Sequence, residues 1–237
     1  MTFEPLRLAL IEQYEAFTAP RPRSVEGCSC CTTPTQLAAL VAAPRDELPT
    51  SVLDLYARKA ITTIGGTAEF RYFWPRLAEL AIAGELTTDR EVVFGKPLYG
   101  AHRTWPGPER AAVLSLASAL GGWLGAEELE EFEVDDWVCV IGLLAEDLTD
   151  IRPLLAPLLA TTESAWANLL AFVASNRDNV EKKHRLASAF WESAPQSAAT
   201  VVEWYLSESR VREAVYALDV ESTKLYGTSM PVRPPTG

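Results

Sequence analysis

Cys28, Cys30 and Cys31 place three thiols within four positions of a 237-residue chain. Thiolates are soft ligands for zinc, and Cys28 with Cys31 forms a C-x-x-C pair, half of a common zinc knuckle. The second half is missing. No other C-x-x-C occurs, and the histidines are His102 and His184, so a closed site needs Cys30, Cys139 or a distant histidine as a fourth ligand. Structural disulfides form poorly between such close neighbours, and the usage suits a reducing compartment. Three readings are open: a zinc site, a redox thiol at Cys31 activated by the start of the following helix, or loop cysteines packed under helix ends. No βαβ pattern surrounds the cluster to favour the redox reading. Cys139 lies in the apolar run Trp137 to Ile141 and reads as a small buried hydrophobe.

A second cluster is electrostatic. Between Arg110 and Arg152 there is no Lys or Arg but ten carboxylates: Glu127, Glu128, Glu130, Glu131, Glu133, Asp135, Asp136, Glu146, Asp147 and Asp150. The rest of the chain holds 22 acidic and 21 basic residues, so nearly all of the net charge of −11 is local. Charge runs commonly form a solvated helix face. Like charges at helical spacing repel, however, and a cationic partner would relieve them and be steered towards them. An alternating Asp/Asn loop with a central glycine, which calcium would need, is absent.

No other catalytic motif appears in the sequence. Gly65-Gly66 lacks the Lys-Ser/Thr of a phosphate loop, and no nucleophile elbow or H-E-x-x-H occurs. His102 lies in a Gly/Pro-rich stretch with no identifiable partner, and His184 follows Lys182-Lys183 on a solvent-facing helix. Acidity argues against a duplex nucleic-acid binder and against a polybasic membrane-surface protein. The longest uncharged run, residues 111–126, falls short of the roughly 20 apolar residues of a membrane span. The start of the chain has no signal-peptide pattern, so a cytoplasmic location is expected.

The elements that must position these residues read as helices throughout. Apolar residues at 6, 9, 10, 14 and 17 mark one helix face. Thr33-Pro34-Thr35-Gln36 is a helix start with a capping box. Helices are expected at about 51–63 and 67–84, with a kink or restart at Pro75. Residues 86–108, rich in Gly and Pro, read as irregular. Further helices are expected near 108–120, 126–133, 135–148, 151–160, 162–175, 178–191, 194–207 and 209–226. Gly227 should end the last, leaving 228–237 as a tail. No alternating strand appears. The expectation is one all-α domain over residues 1–227, about ten helices in a compact bundle or an irregular stack of helical hairpins.

Leu55 to Gly65 and Phe70 to Leu80, with Gly27 to Cys31 upstream, carry a resemblance. They resemble a group of uncharacterised bacterial proteins with a C-x-x-C loop, a Tyr-Ala-x-Lys-Ala-x-Thr-Thr helix and an aromatic-Pro-Arg-Leu-x-Glu-Leu helix. The matching part is roughly residues 24–110. It implies a helical bacterial protein and brings no activity with it. The leading expectation is a non-enzymatic binding protein that engages a basic protein through the acidic stretch. Its most concrete form is an immunity-type inhibitor of a basic toxin domain. The alternative is a zinc- or thiol-dependent protein using Cys28, Cys30 and Cys31.

Overall fold

A computed structural model describes residues 3–226. Eleven α-helices and three short 3₁₀ turns account for its regular structure, and no strand forms among the described residues. The helices are α1 (Glu4–Ala16), α2 (Pro34–Leu40), α3 (Thr50–Lys59), α4 (Thr67–Ile82), α5 (Arg90–Tyr99), α6 (Gly107–Ala126), α7 (Glu131–Ala145), α8 (Arg152–Leu155), α9 (Glu163–Lys183), α10 (Pro195–Ser207) and α11 (Ser209–Tyr226). The all-α expectation therefore holds. Gly227 and the expected tail lie outside the described residues.

Helix α6 is the hub, packing on α1, α7, α8 and α9. Its two buried glycines explain how α8 and the turn after it come so close. A Cβ at Gly121 would sit 2.0 Å from the Leu154 carbonyl oxygen, and one at Gly125 would sit 2.6 Å from that of Pro157. One contiguous apolar core runs from Leu6 to Ala214. Of the polar groups inside it, Gln13 is matched on every side. The buried Gln13 amide donates to the carbonyls of Ala9 and Ala112 and accepts from the Trp74 indole at 2.9 Å, tying α1, α4 and α6 together. Such satisfaction is what burial of an amide requires.

Several boundaries differ from the sequence reading. Residues 86–108 are not irregular: α5 spans Arg90–Tyr99 with Pro97 inside it. The Gly95 and Pro97 breaker signals lose to burial of Val93 and Phe94 in the core. Pro75 does not end α4, which runs on to Ile82 with Phe73, Trp74, Leu77 and Ala78 fully buried around the proline. The expected pairs 126–133/135–148 and 162–175/178–191 are single helices, α7 and α9. In contrast, the Thr33 capping box is present with both bonds made, Gln36 N–H to Thr33 Oγ1 and Thr33 N–H to Gln36 Oε1.

Candidate metal centre and acidic ridge

The three thiols converge. Cys28, Cys30 and Cys31 are exposed, and their sulfurs all lie within 4.8 Å of one another. Cys28 Sγ is 2.7 Å from Cys30 Sγ, which is 3.2 Å from Cys31 Sγ. The convergence comes from a tight turn in which the Cys28 carbonyl accepts from the Cys31 and Thr32 amides, both at 3.0 Å, and from the Thr32 hydroxyl at 2.8 Å.

A second segment holds this turn in place. Helix α3 ends in a compact reversal at 60–64, and that reversal pairs with the cysteine loop. The Cys28 amide donates to the Thr63 carbonyl at 3.0 Å, and the Gly65 amide to the Glu26 carbonyl at 2.7 Å. The Lys59 ammonium caps the Cys31 carbonyl at 2.5 Å. Gly27 sits at the tightest point, where a Cβ would lie 2.9 Å from both Leu37 and Thr32 side-chain atoms. Ile61 takes a left-handed φ of 66°, a costly conformation for a β-branched residue. Two of the three stretches that carry the sequence resemblance, Gly27 to Cys31 and Leu55 to Gly65, are thus neighbours in space.

The cluster polarises its own protons. A hydrogen bond from the Cys30 thiol holds the Cys28 thiol below its ordinary range. Cys30 is pushed up to about 11 by its hydrogen bonds to Cys28 and Cys31 and by the charge these neighbours carry when ionised. Cys139 is far from this chemistry in character: it is buried, and burial pushes its thiol up. His102 is also buried, 1 % exposed, packed edge-on against Trp105, with its pKa lowered by burial. Its Nε2 has no hydrogen-bond partner among the described residues. His184 is exposed and terminates α9 in the left-handed conformation. Among the described residues no histidine, aspartate or glutamate joins the three thiols.

The ten carboxylates do not share one surface. Glu146 is buried, 4 % exposed, and accepts from the Gln196 and Ser197 amides at 3.0 and 2.8 Å, capping α10. Asp147 pairs with Arg103, and Asp150 with Arg152. Glu133 pairs with Arg90 at 2.8 Å, whose guanidinium also lies over the Trp137 ring. Asp135 accepts from the buried Asn176 amide at 2.6 Å, and burial raises its pKa. Asp136 faces Glu91 of α5, whose carboxyl is pushed up to about 7 by burial and by the Asp136 carboxylate. Cations and amides thus satisfy five of the ten carboxylates, Glu133, Asp135, Glu146, Asp147 and Asp150.

Glu127, Glu128, Glu130 and Glu131 remain exposed, and among the described residues none makes an ion pair or side-chain hydrogen bond. They form a ridge at the turn between α6 and α7. Buried Asn168 shapes that turn, donating to the Leu124 and Glu127 carbonyls and accepting from the Leu129 amide. Glu131 and Glu133 occupy the first turn of α7, where the helix dipole favours negative charge. Phe132 stands out of the ridge 73 % exposed. In the sequence Leu129, Phe132 and Val134 alternate with the carboxylates and read as core-facing; Val134 is buried, but Phe132 is not. Among the described residues no helix is long and apolar enough to cross a membrane. No family model, curated protein or solved structure matches the chain.

Proposed function

We propose that the chain acts through a soft-metal centre, with zinc as the ion, held by the thiolates of Cys28, Cys30 and Cys31. The convergence of three exposed sulfurs on a doubly anchored loop carries this reading. A tetrahedral zinc with 2.3 Å bonds spaces its sulfurs about 3.8 Å apart. The 2.7 and 3.2 Å separations are within about 1 Å of that, so small side-chain rotations suffice. Binding displaces thiol protons, and the lowered Cys28 thiol eases that step. Native mass spectrometry of the full chain titrated with zinc under reducing conditions tests it. One zinc per chain is expected, and none after combined Cys28→Ser, Cys30→Ser and Cys31→Ser. Equal uptake by both proteins would overturn the reading.

The acidic ridge favours a second reading: the chain docks a basic protein, such as a cationic toxin domain that an immunity-type inhibitor would neutralise. Four unpaired carboxylates around an exposed Phe132 combine charge complementarity with an aromatic anchor.

A further inference from the structure

Zinc bound by three protein ligands keeps a fourth position for a ligand from outside the chain, whereas closed structural sites use four. The cysteine cluster has three members, and among the described residues no histidine, aspartate or glutamate ligand atom lies with them. Residues 227–237 contain none of these types either. Beside the cluster opens a cleft of about 540 Å³ whose wall includes Cys28, Glu26, Thr62, Thr63, Gly66 and Glu69. Ile61 and Gly65 of the reversal after α3 line it as well.

From these observations, and resting on the metal reading above, we infer that the fourth ligand is a small aminothiol that binds through its sulfur with its ammonium group in the cleft. Charge selects this class. Zinc with three thiolates is already one charge negative, and Glu26 and Glu69 add two carboxylates beside it. An anionic thiol such as a mercaptocarboxylate would meet repulsion from all three. A cationic aminothiol loses its thiol proton on coordination and becomes a zwitterion, so its ammonium group is drawn to the carboxylates. Of the two, Glu26 has the freer side chain, because Glu69 Oε2 already accepts from the Gly66 amide at 2.8 Å. The step is a ligand exchange: a water leaves the metal, a sulfur–metal bond forms, and the thiol proton passes to solvent.

The test uses the full chain loaded with cobalt(II), whose sulfur-to-metal charge-transfer band counts thiolates and whose ligand-field bands report the fourth ligand. Cysteamine should shift the ligand-field bands saturably while the metal stays bound, and 3-mercaptopropionate should do so about tenfold more weakly. Glu26→Gln should reduce that preference several-fold while the charge-transfer band of the loaded protein is unchanged. Ligand-field bands that do not respond to cysteamine, or equal responses to the two thiols, would overturn the inference with the metal reading intact. Cobalt released into the filtrate by cysteamine would also overturn it. Absence of any charge-transfer band on cobalt addition would remove the metal centre itself, and the inference with it.

Discussion

The cysteine loop and the acidic stretch look alike as sequence, each a dense local run of one chemical type, yet the fold treats them in opposite ways. The turn at Cys28–Thr32 gathers its three sulfurs to one point, and the reversal after α3 fixes that point from outside. The acidic stretch is distributed instead. Along α7 helical geometry turns Glu131, Glu133, Asp135 and Asp136 to different faces; over the whole stretch Glu146 caps α10 from inside, three carboxylates meet arginines, Asp135 accepts from Asn176 of α9, Asp136 faces Glu91 of α5, and four stay in water. A four-residue turn keeps neighbours in sequence close in space, whereas a helix disperses them at 100° intervals.

The largest expected effect separates the two regions by metal. Replacing Cys28 and Cys31 with serine should lower zinc affinity by at least about 100-fold, since two of three thiolates are lost. The thiols are exposed, so the metal-free protein should melt at nearly the wild-type temperature. Zinc titration and calorimetry with and without chelator check both. A large loss of metal-free stability would show that the thiols hold the fold rather than an ion.

The next effect lies within the acidic stretch. Glu146→Ala leaves two backbone amides of α10 without acceptors in a buried place and should cost about 3 kcal/mol. Glu128→Ala, on the ridge, should cost less than about 0.5 kcal/mol. Urea unfolding of the two variants measures the contrast directly. Similar values would mean that Glu146 is not the buried cap described above.

The α5–α7 interface gives a pH prediction. Glu91 titrates near 7 in the folded chain, above its ordinary 4.5, so the folded state holds a proton that the unfolded chain has released. Stability should therefore be greatest below about pH 4.5 as far as this group is concerned, and fall as pH rises towards 7. The fall attributable to it is about 2 kcal/mol after allowing for its partial contact with solvent. Glu91→Gln, which mimics the protonated acid, should flatten that slope and stabilise the chain at pH 8. An unchanged slope between pH 5 and 8 would exclude Glu91 as the titrating group.

The same contrast explains what the residues disclosed in advance. The all-α architecture and the Thr33 cap were legible because each depends on local spacing and capping chemistry; Pro195 marked the start of α10, but its cap is the distant Glu146 carboxylate rather than a local side chain. The cysteine loop was legible as a cluster of thiols because its geometry is local. What was illegible depends on distant partners. Helix α5 forms through Gly95 and Pro97 because Val93 and Phe94 are buried against the rest of the core. The role of Glu146 depends on amides fifty residues away, and the Glu91–Asp136 pair joins helices separated by a long stretch of chain. Loop–loop pairing between Glu26–Cys28 and Thr63–Gly65 has no strand signature at all, being two hydrogen bonds around a glycine.

The smallest effect on the folded chain tests the ridge. Glu128→Lys with Glu131→Lys changes two exposed, unpaired carboxylates, so stability should shift by no more than about 0.5 kcal/mol. Against a purified basic partner domain, the same pair should slow association about tenfold at low salt and flatten its dependence on ionic strength. Phe132→Ala should act differently. An aromatic 73 % exposed in the free chain gains its contacts only on docking, so its loss should speed dissociation and leave the association rate near wild type. That division of labour, charge governing encounter and the ring governing residence, is what distinguishes a docking ridge from a solvated helix end. If the charge reversals alter neither rate, the four carboxylates serve the α6–α7 turn and the dipole of α7, and the cysteine loop is left as the one region whose composition points beyond the fold.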